Sequence, residues 1–145
     1  MKIWKNTATL DGHDNGLIFT EDKYQANIAL LGSKPINLFE FPKLKGIFRA
    51  GVGKDNVPEL EAADKGILVR YPSQETINII YDETASFTCS LIFRMIYNDL
   101  GTLEPWNKHN RSELSRKTLL VIGTGNIGCR VVKYMRPFMN VITFD

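Results

Sequence analysis

Apolar residues fall into short runs that stop at glycine. Ile28-Ala29-Leu30-Leu31 ends at Gly32, and Gly46-Ile47-Phe48-Arg49-Ala50 ends at Gly51. Runs this short, bounded by turn residues, predict buried strands. Residues 2–4 predict a brief first strand, and the polar, glycine-bearing stretch 11–16 predicts a loop. Between Leu38 and Leu44, Pro42 leaves room for a single helical turn at most. Pro58 ahead of Glu59-Leu60-Glu61-Ala62-Ala63-Asp64-Lys65, with Gly66 behind, predicts a short capped helix, after which Ile67-Leu68-Val69 predicts a strand. Strand, helix and strand in that order imply a parallel α/β unit with a right-handed crossover.

From Asp82 to Asn98, Phe87, Leu91, Ile92, Met95 and Ile96 recur at helical spacing and predict a helix with one broad apolar face. Residues 99–116 are polar and carry Gly101 and Pro105, which predicts an arm or linker and a domain boundary near residue 98. Beyond it, Thr118-Leu119-Leu120-Val121-Ile122 is a wholly β-type run. A glycine-rich turn, a helix ending near Met135 and a second β-type run, Val141-Ile142-Thr143-Phe144, follow.

That turn reads Gly123-Thr124-Gly125-Asn126-Ile127-Gly128, a G-x-G-x-x-G pattern, and Asp145 lies 22 positions beyond Gly123. The pattern alone is weak, but a preceding strand, a following helix and an acid about 20 residues on make it a dinucleotide fingerprint. Gly123 serves the tight turn, Gly125 lets backbone approach a pyrophosphate, and Gly128 lets helix and strand pack closely. The N–H groups of Asn126 and Ile127, at the positive end of the helix dipole, would meet the phosphates. Asp145 would accept hydrogen bonds from ribose hydroxyls and repel a 2′-phosphate, favouring NAD over NADP. The bland alternatives are a glycine turn that binds nothing and an Asp145 carboxylate that is merely solvated.

A second glycine loop, Arg49-Ala50-Gly51-Val52-Gly53-Lys54-Asp55-Asn56-Val57, sits between a predicted strand and the Pro58 helix, where ligands of open α/β sheets bind. The N–H groups of Val52 and Gly53 could cradle a carboxylate, with Arg49 or Lys54 adding charge. A tight turn with solvated Arg49 and Lys54 explains the same residues equally well.

Composition narrows the partners. Lys plus Arg number 18 against 16 Asp plus Glu, too even a balance to argue for a nucleic-acid or membrane surface, so a small molecule is the expected partner. Cys89 and Cys129 lack metal-ligand spacing, which argues against a metal or a disulfide and for reduced thiols; Cys129 fits a small residue packed at a helix start. No apolar run is long enough to span a bilayer and no leader pattern opens the chain, so the expected location is the cytoplasm. His13 and His109, in a polar loop and in the arm, are expected to be surface residues.

The segments FRAGVGKDNV, KGILVRYP, ETASFTCSLIFR, a tryptophan-bearing arm and LSRKTLLVIGTGNIG, in that order, resemble the D-isomer-specific 2-hydroxyacid dehydrogenases, especially phosphoglycerate dehydrogenase and its hydroxypyruvate- and glyoxylate-reducing relatives. The resemblance covers residues 44–145. It implies an α/β architecture: a flavodoxin-like substrate domain, here 1–98, followed by an arm and the first βαβ of a Rossmann NAD-binding domain, here 99–145, on either side of a cleft. It also implies NAD as cofactor, a 2-oxo or 2-hydroxy acid as substrate, and a homodimer formed through the arm around Trp106. Arg49, Val52 and Gly53 would hold substrate, Arg49 matching an arginine that helps bind phosphorylated substrates. Gly123, Gly125, Asn126, Ile127, Gly128 and Asp145 would hold the cofactor, and Glu83 matches the acidic start of the interdomain helix. Tyr81 could touch nicotinamide or simply be a packed aromatic.

The chemistry implied is hydride exchange between nicotinamide and C2, with a histidine as acid/base, a glutamate tuning it and an arginine gripping the substrate. The family's versions of those residues come from later in the cofactor domain, so no catalytic residue is expected in 1–145. Three features depart from the pattern: Arg70-Tyr71-Pro72 where an asparagine usually precedes the proline, a small insertion between Pro72 and Glu83, and little room for the usual first helix. A non-catalytic NAD-binding or protein-interaction module on the same fold is the alternative, and an α/β scaffold without nucleotide is a third. The βαβ piece is expected to leave apolar surface at Val121, Ile122, Val141 and Ile142 open, and therefore to bind NAD weakly at best by itself, with self-association or a disordered C-terminal third.

Overall fold

The computed structural model describes residues 1–13, 15–98, 104–107 and 113–145. His109 and most of the arm lie outside the described residues. The chain divides into two compact units, Met1–Ile77 and Asn78–Asp145.

The first unit is a five-stranded, wholly parallel sheet built from β1 (Lys2–Lys5), β2 (Ile18–Phe19), β3 (Ile28–Leu31), β4 (Gly46–Arg49) and β5 (Leu68–Arg70), in the order β2-β1-β3-β4-β5. That is the flavodoxin-like strand order. Register puts Trp4, Ala29, Ile47 and Val69 in one row across β1, β3, β4 and β5. The row packs on the buried cluster of Leu38, Phe41, Leu44, Val57, Ala62 and Ile67. Leu31 and Ile47 are fully buried in it, and Trp4 meets Phe41 edge-on at 5.0 Å.

Short crossovers supply the rest of that layer. Asn37 caps a single 3-10 turn, Leu38–Glu40, through Phe39 N–H (3.2 Å), as the proline-limited stretch predicts. Helix α1 (Glu59–Asp64) carries Glu59 and Glu61 in its first turn, where negative charge suits the helix dipole, and ends at Gly66 with φ +67°. Among the described residues no helix lies between β1 and β2, in keeping with the short N-terminal region.

Helix α2 (Gln74–Ile96) begins earlier than the apolar periodicity suggests. Ser73 sets the start: its Oγ accepts the Thr76 N–H (3.2 Å) while its carbonyl accepts the Ile77 N–H (2.9 Å). The division between units falls inside this helix, not near residue 98 as the polar arm suggests. The reason is packing: Ala85, Cys89, Ile92, Phe93 and Ile96 join Val131, Met135, Met139, Val121 and Val141 in one cluster.

The second unit pairs β6 (Thr118–Ile122) and β7 (Asn140–Phe144) in parallel around α3 (Gly128–Met135). Alternation along the strands settles which residues face outward. Leu120, Ile122, Ile142 and Phe144 are exposed, whereas Val121 and Val141 turn into the cluster. Neighbouring residues of a strand point to opposite faces, so the open surface expected at Val121 and Val141 is carried by Leu120 and Phe144 instead.

Candidate functional site

In the first unit, β4 ends at Arg49 and the chain turns through Gly51, Val52 and Gly53. Arg49 Nε donates to Asn56 Oδ1 (3.0 Å), and Asn56 Nδ2 donates to the carbonyls of Gly32 (2.9 Å) and Lys34 (3.1 Å). Asn6, just past β1, accepts the Gly32 N–H at 2.7 Å. The loops leaving β1, β3 and β4 are thus tied by two asparagines at the carboxyl ends of the strands, beside the point where strand order reverses.

The guanidinium lies against the glycine loop: a Cβ on Gly51 would stand 2.5 Å from Arg49 Nη1. Arg49, Val52 and Gly53 are therefore gathered at the carboxyl end of β4. Lys54 places its ammonium 4.8 Å from the Tyr71 ring centroid, and Tyr71 donates its hydroxyl to Glu59. Burial first, then the Glu59 carboxylate, push the Tyr71 phenol up to about 12. His13 is exposed in its loop.

A cavity of about 250 Å³ lies elsewhere in this unit, against Trp4, Lys23, Asn37, Glu40 and Phe41. Its polar groups are already engaged: Lys23 pairs with Glu40, and Asn37 donates to Glu40 at 3.3 Å.

In the second unit, the G-x-G-x-x-G residues form the turn from β6 into α3. Gly123 takes φ +87°, in the left-handed region that side chains avoid. A Cβ on Gly128 would sit 2.0 Å from the Gly123 carbonyl oxygen, so helix and turn touch backbone to backbone. Gly125 meets nothing within 4 Å, leaving open space over the turn. The first intrahelical bond is Cys129 N–H to Gly125 O at 3.1 Å, which leaves the N–H groups of Asn126 and Ile127 ahead of the ladder.

Asp145 reaches back from the end of β7, and its Oδ1 accepts the Thr124 N–H at 2.9 Å. The Thr124 N–H and hydroxyl hold this carboxylate below its ordinary range, so it is charged at neutral pH. The geometry fits a dinucleotide: open space at Gly125, free helix-start donors, and a fixed acid beside them.

Residues not singled out in the sequence brace this turn. Arg130 Nη1 donates to the Asn126 carbonyl (2.6 Å), and Arg130 Nε donates to Asp82 Oδ1 on α2 (2.6 Å), which also accepts the Tyr134 hydroxyl (3.0 Å). The Arg130 guanidinium lies 5.4 Å from the centroid of the half-buried Tyr81 ring. Glu83 is exposed on α2, and Cys129 is exposed with its thiol donating to Asn126 O at 3.5 Å. Among the described residues no cluster of three or more His, Cys, Asp or Glu is placed to hold a metal, and no helix is long and apolar enough to cross a membrane.

No family model matches the chain. The D-3-phosphoglycerate dehydrogenase of Methanocaldococcus jannaschii is 39% identical over 112 residues, 71% of this chain and 20% of that protein. The human enzyme of the same name is 37% identical over 113 residues, again 71% of this chain and 20% of that protein. Over those residues the chain is similar to D-3-phosphoglycerate dehydrogenases. A glyoxylate reductase of Thermofilum pendens is 31% identical over 116 residues, 72% of this chain and 33% of that protein.

Among solved D-2-hydroxyacid dehydrogenases, the D-lactate dehydrogenase of Aquifex aeolicus, complexed with NAD and lactic acid, superposes with a TM-score of 0.63 at 25% identity, covering 100% of this chain and 51% of that one. The pyruvate reductase of Chlamydomonas reinhardtii gives 0.69 at 19% identity, covering 99% of this chain and 51% of that one, and shares the fold. The chain thus spans about a fifth of the phosphoglycerate dehydrogenases it matches (20%) and about half of these solved chains (51%).

Proposed function

We propose that this chain supplies the substrate-holding loop and the nucleotide-binding turn of an NAD-dependent oxidoreductase that interconverts a 2-oxo acid and a D-2-hydroxy acid. The observation that carries the proposal is the backbone contact between Gly128 and Gly123, with Asp145 tied to Thr124 beside the open space over Gly125. Gly125, Asn126 and Ile127 would meet the pyrophosphate and Asp145 the adenosine ribose, while Gly123 and Gly128 shape the turn. The nicotinamide, when bound, supplies or takes up the hydride.

Arg49, Val52 and Gly53 would grip the substrate carboxylate, and the substrate falls in the phosphoglycerate, hydroxypyruvate or glyoxylate class. The catalytic arginine, glutamate and histidine of the family pattern are not assigned to any residue of this chain. The substrate-holding unit of this proposal is residues 1–77, a reading supported by the division of the chain into Met1–Ile77 and Asn78–Asp145. A homodimer and a cytoplasmic location complete the reading, on resemblance to the family.

Two measurements test it. Titration with NADH and NADPH should show binding with preference for NADH, and preference for NADPH would overturn the role of Asp145. Glyoxylate, hydroxypyruvate and phosphohydroxypyruvate should compete for one site that is weakened by Arg49→Ala. Equal affinity in Arg49→Ala would remove Arg49 from the substrate site.

A further inference from the structure

The nucleotide turn is held from behind by a residue that belongs to neither strand nor turn. We propose that Asp82 is a positioning residue: through Arg130 it fixes the Asn126 carbonyl, and so aims the N–H groups of Gly125, Asn126 and Ile127. Asp82 sits on α2, outside the G-x-G-x-x-G segment, and receives Arg130 Nε at 2.6 Å. The same guanidinium spends Nη1 on Asn126 O at 2.6 Å, so one planar, rigid fork joins helix to turn. Tyr134 adds a second donor to the same carboxylate oxygen at 3.0 Å, and the Tyr81 ring supports the guanidinium face.

The peptide unit that carries the Asn126 carbonyl also carries the Ile127 N–H. Pulling that oxygen toward Arg130 points the N–H the opposite way, as peptide planarity requires. The Arg130 side chain is only 22% exposed, against 51% for Asp82, so the inner half of the pair is sheltered from screening. Asp82 is held below the ordinary carboxylate range by the Arg130 and then the Tyr134 hydrogen bonds, which keeps it charged at neutral pH.

The part of the proposal that concerns ligand affinity rests on the nucleotide reading above; the part that concerns the turn does not. Amide NMR with hydrogen exchange on the full chain therefore comes first, comparing it with Asp82→Ala and with Arg130→Met, which keeps an apolar stem and removes both bonds. The amides of Gly125, Asn126 and Ile127 are expected to shift in both variants, and the Cys129 amide, bonded to the Gly125 carbonyl, to exchange about tenfold faster, the equivalent of losing one charge-assisted hydrogen bond. Ladder amides of β6 and β7 should be unchanged, and the double variant no worse than either single one.

Unchanged turn amides in Arg130→Met would overturn the proposal, even if Asp82→Ala fails to fold. NADH titration follows. A Kd raised about tenfold in both variants supports the brace, and an unchanged Kd refutes its bearing on binding. Absence of NADH binding by the unsubstituted chain counts against the nucleotide reading, and the amide measurement still decides the brace.

Discussion

Gly128→Ala is expected to destabilise the second unit by about 3 kcal/mol, at the upper end of the ~1–3 kcal/mol typical of overpacking. The added Cβ would lie 2.0 Å from the Gly123 carbonyl oxygen and 3.1 Å from its carbon. That is roughly 1 Å or more inside ordinary contact, and the obstacle is backbone, which cannot swing aside as a side chain can. Gly123 itself is fixed by φ +87° and by its N–H, which donates to Phe144 O at 2.7 Å. Relief must therefore come from α3 retreating, which loosens Val131, Val132 and Met135, exposed by only 5%, 7% and 0%. Amide exchange in β6 and β7 reads that loss for the second unit alone, which matters because two units need not unfold together. Gly125→Ala is the contrasting change. Its Cβ meets nothing within 4 Å, so stability should move by no more than about 0.5 kcal/mol. NADH affinity should nevertheless be lost, because the methyl stands where the pyrophosphate must approach. A stable Gly128→Ala, or a Gly125→Ala chain that binds NADH normally, would refute the division of labour between the two glycines.

Asn56→Ala removes an acceptor for Arg49 and donors to two carbonyls, and should cost the first unit about 2 kcal/mol in denaturant unfolding followed by its own amides. Tyr71, at about 12 against an ordinary 10.0, contributes stability that is complete below pH 10 and lost as pH rises toward 12. Spectrophotometric titration should show late ionisation from Tyr71 and from Tyr134, the latter raised by the Asp82 carboxylate, with the Tyr71 contribution missing in Tyr71→Phe. Asp145→Asn should narrow the preference for NADH over NADPH about tenfold, measured as the ratio of Kd values, because a neutral amide no longer repels a 2′-phosphate. An unchanged ratio would mean that Asp145 does not face the ribose.

The strands at 28–31, 46–49 and 118–122 were legible because each is a compact apolar run closed by a turn. Strand β2 was not, since two residues, Ile18 and Phe19, are too few to display alternation. The start of α2 was not legible because Ile77, Ile79 and Ile80 are β-branched and suit a strand as well as a helix. Pro72 followed by Ser73 is the local signal that could have placed it. The six residues of the glycine turn were legible from spacing, because their duties are local to the backbone. Asn6, Asn56, Asp82 and Arg130 were not, since their partners lie far along the chain and are brought near only by strand order and helix packing.

The two asparagines behind the substrate-side loop have a consequence for how new specificity arises. Asn6 and Asn56 hold backbone atoms of Gly32 and Lys34, and Asn56 also holds the Arg49 side chain. Segment 49–57 is therefore tied near both ends, through Arg49 and Asn56, rather than through the side chains at Val52 or Lys54. Those positions can be varied between the tied ends, which, on the proposed function, makes them natural places for a mutational library, and for evolutionary drift, to alter which acid is recognised.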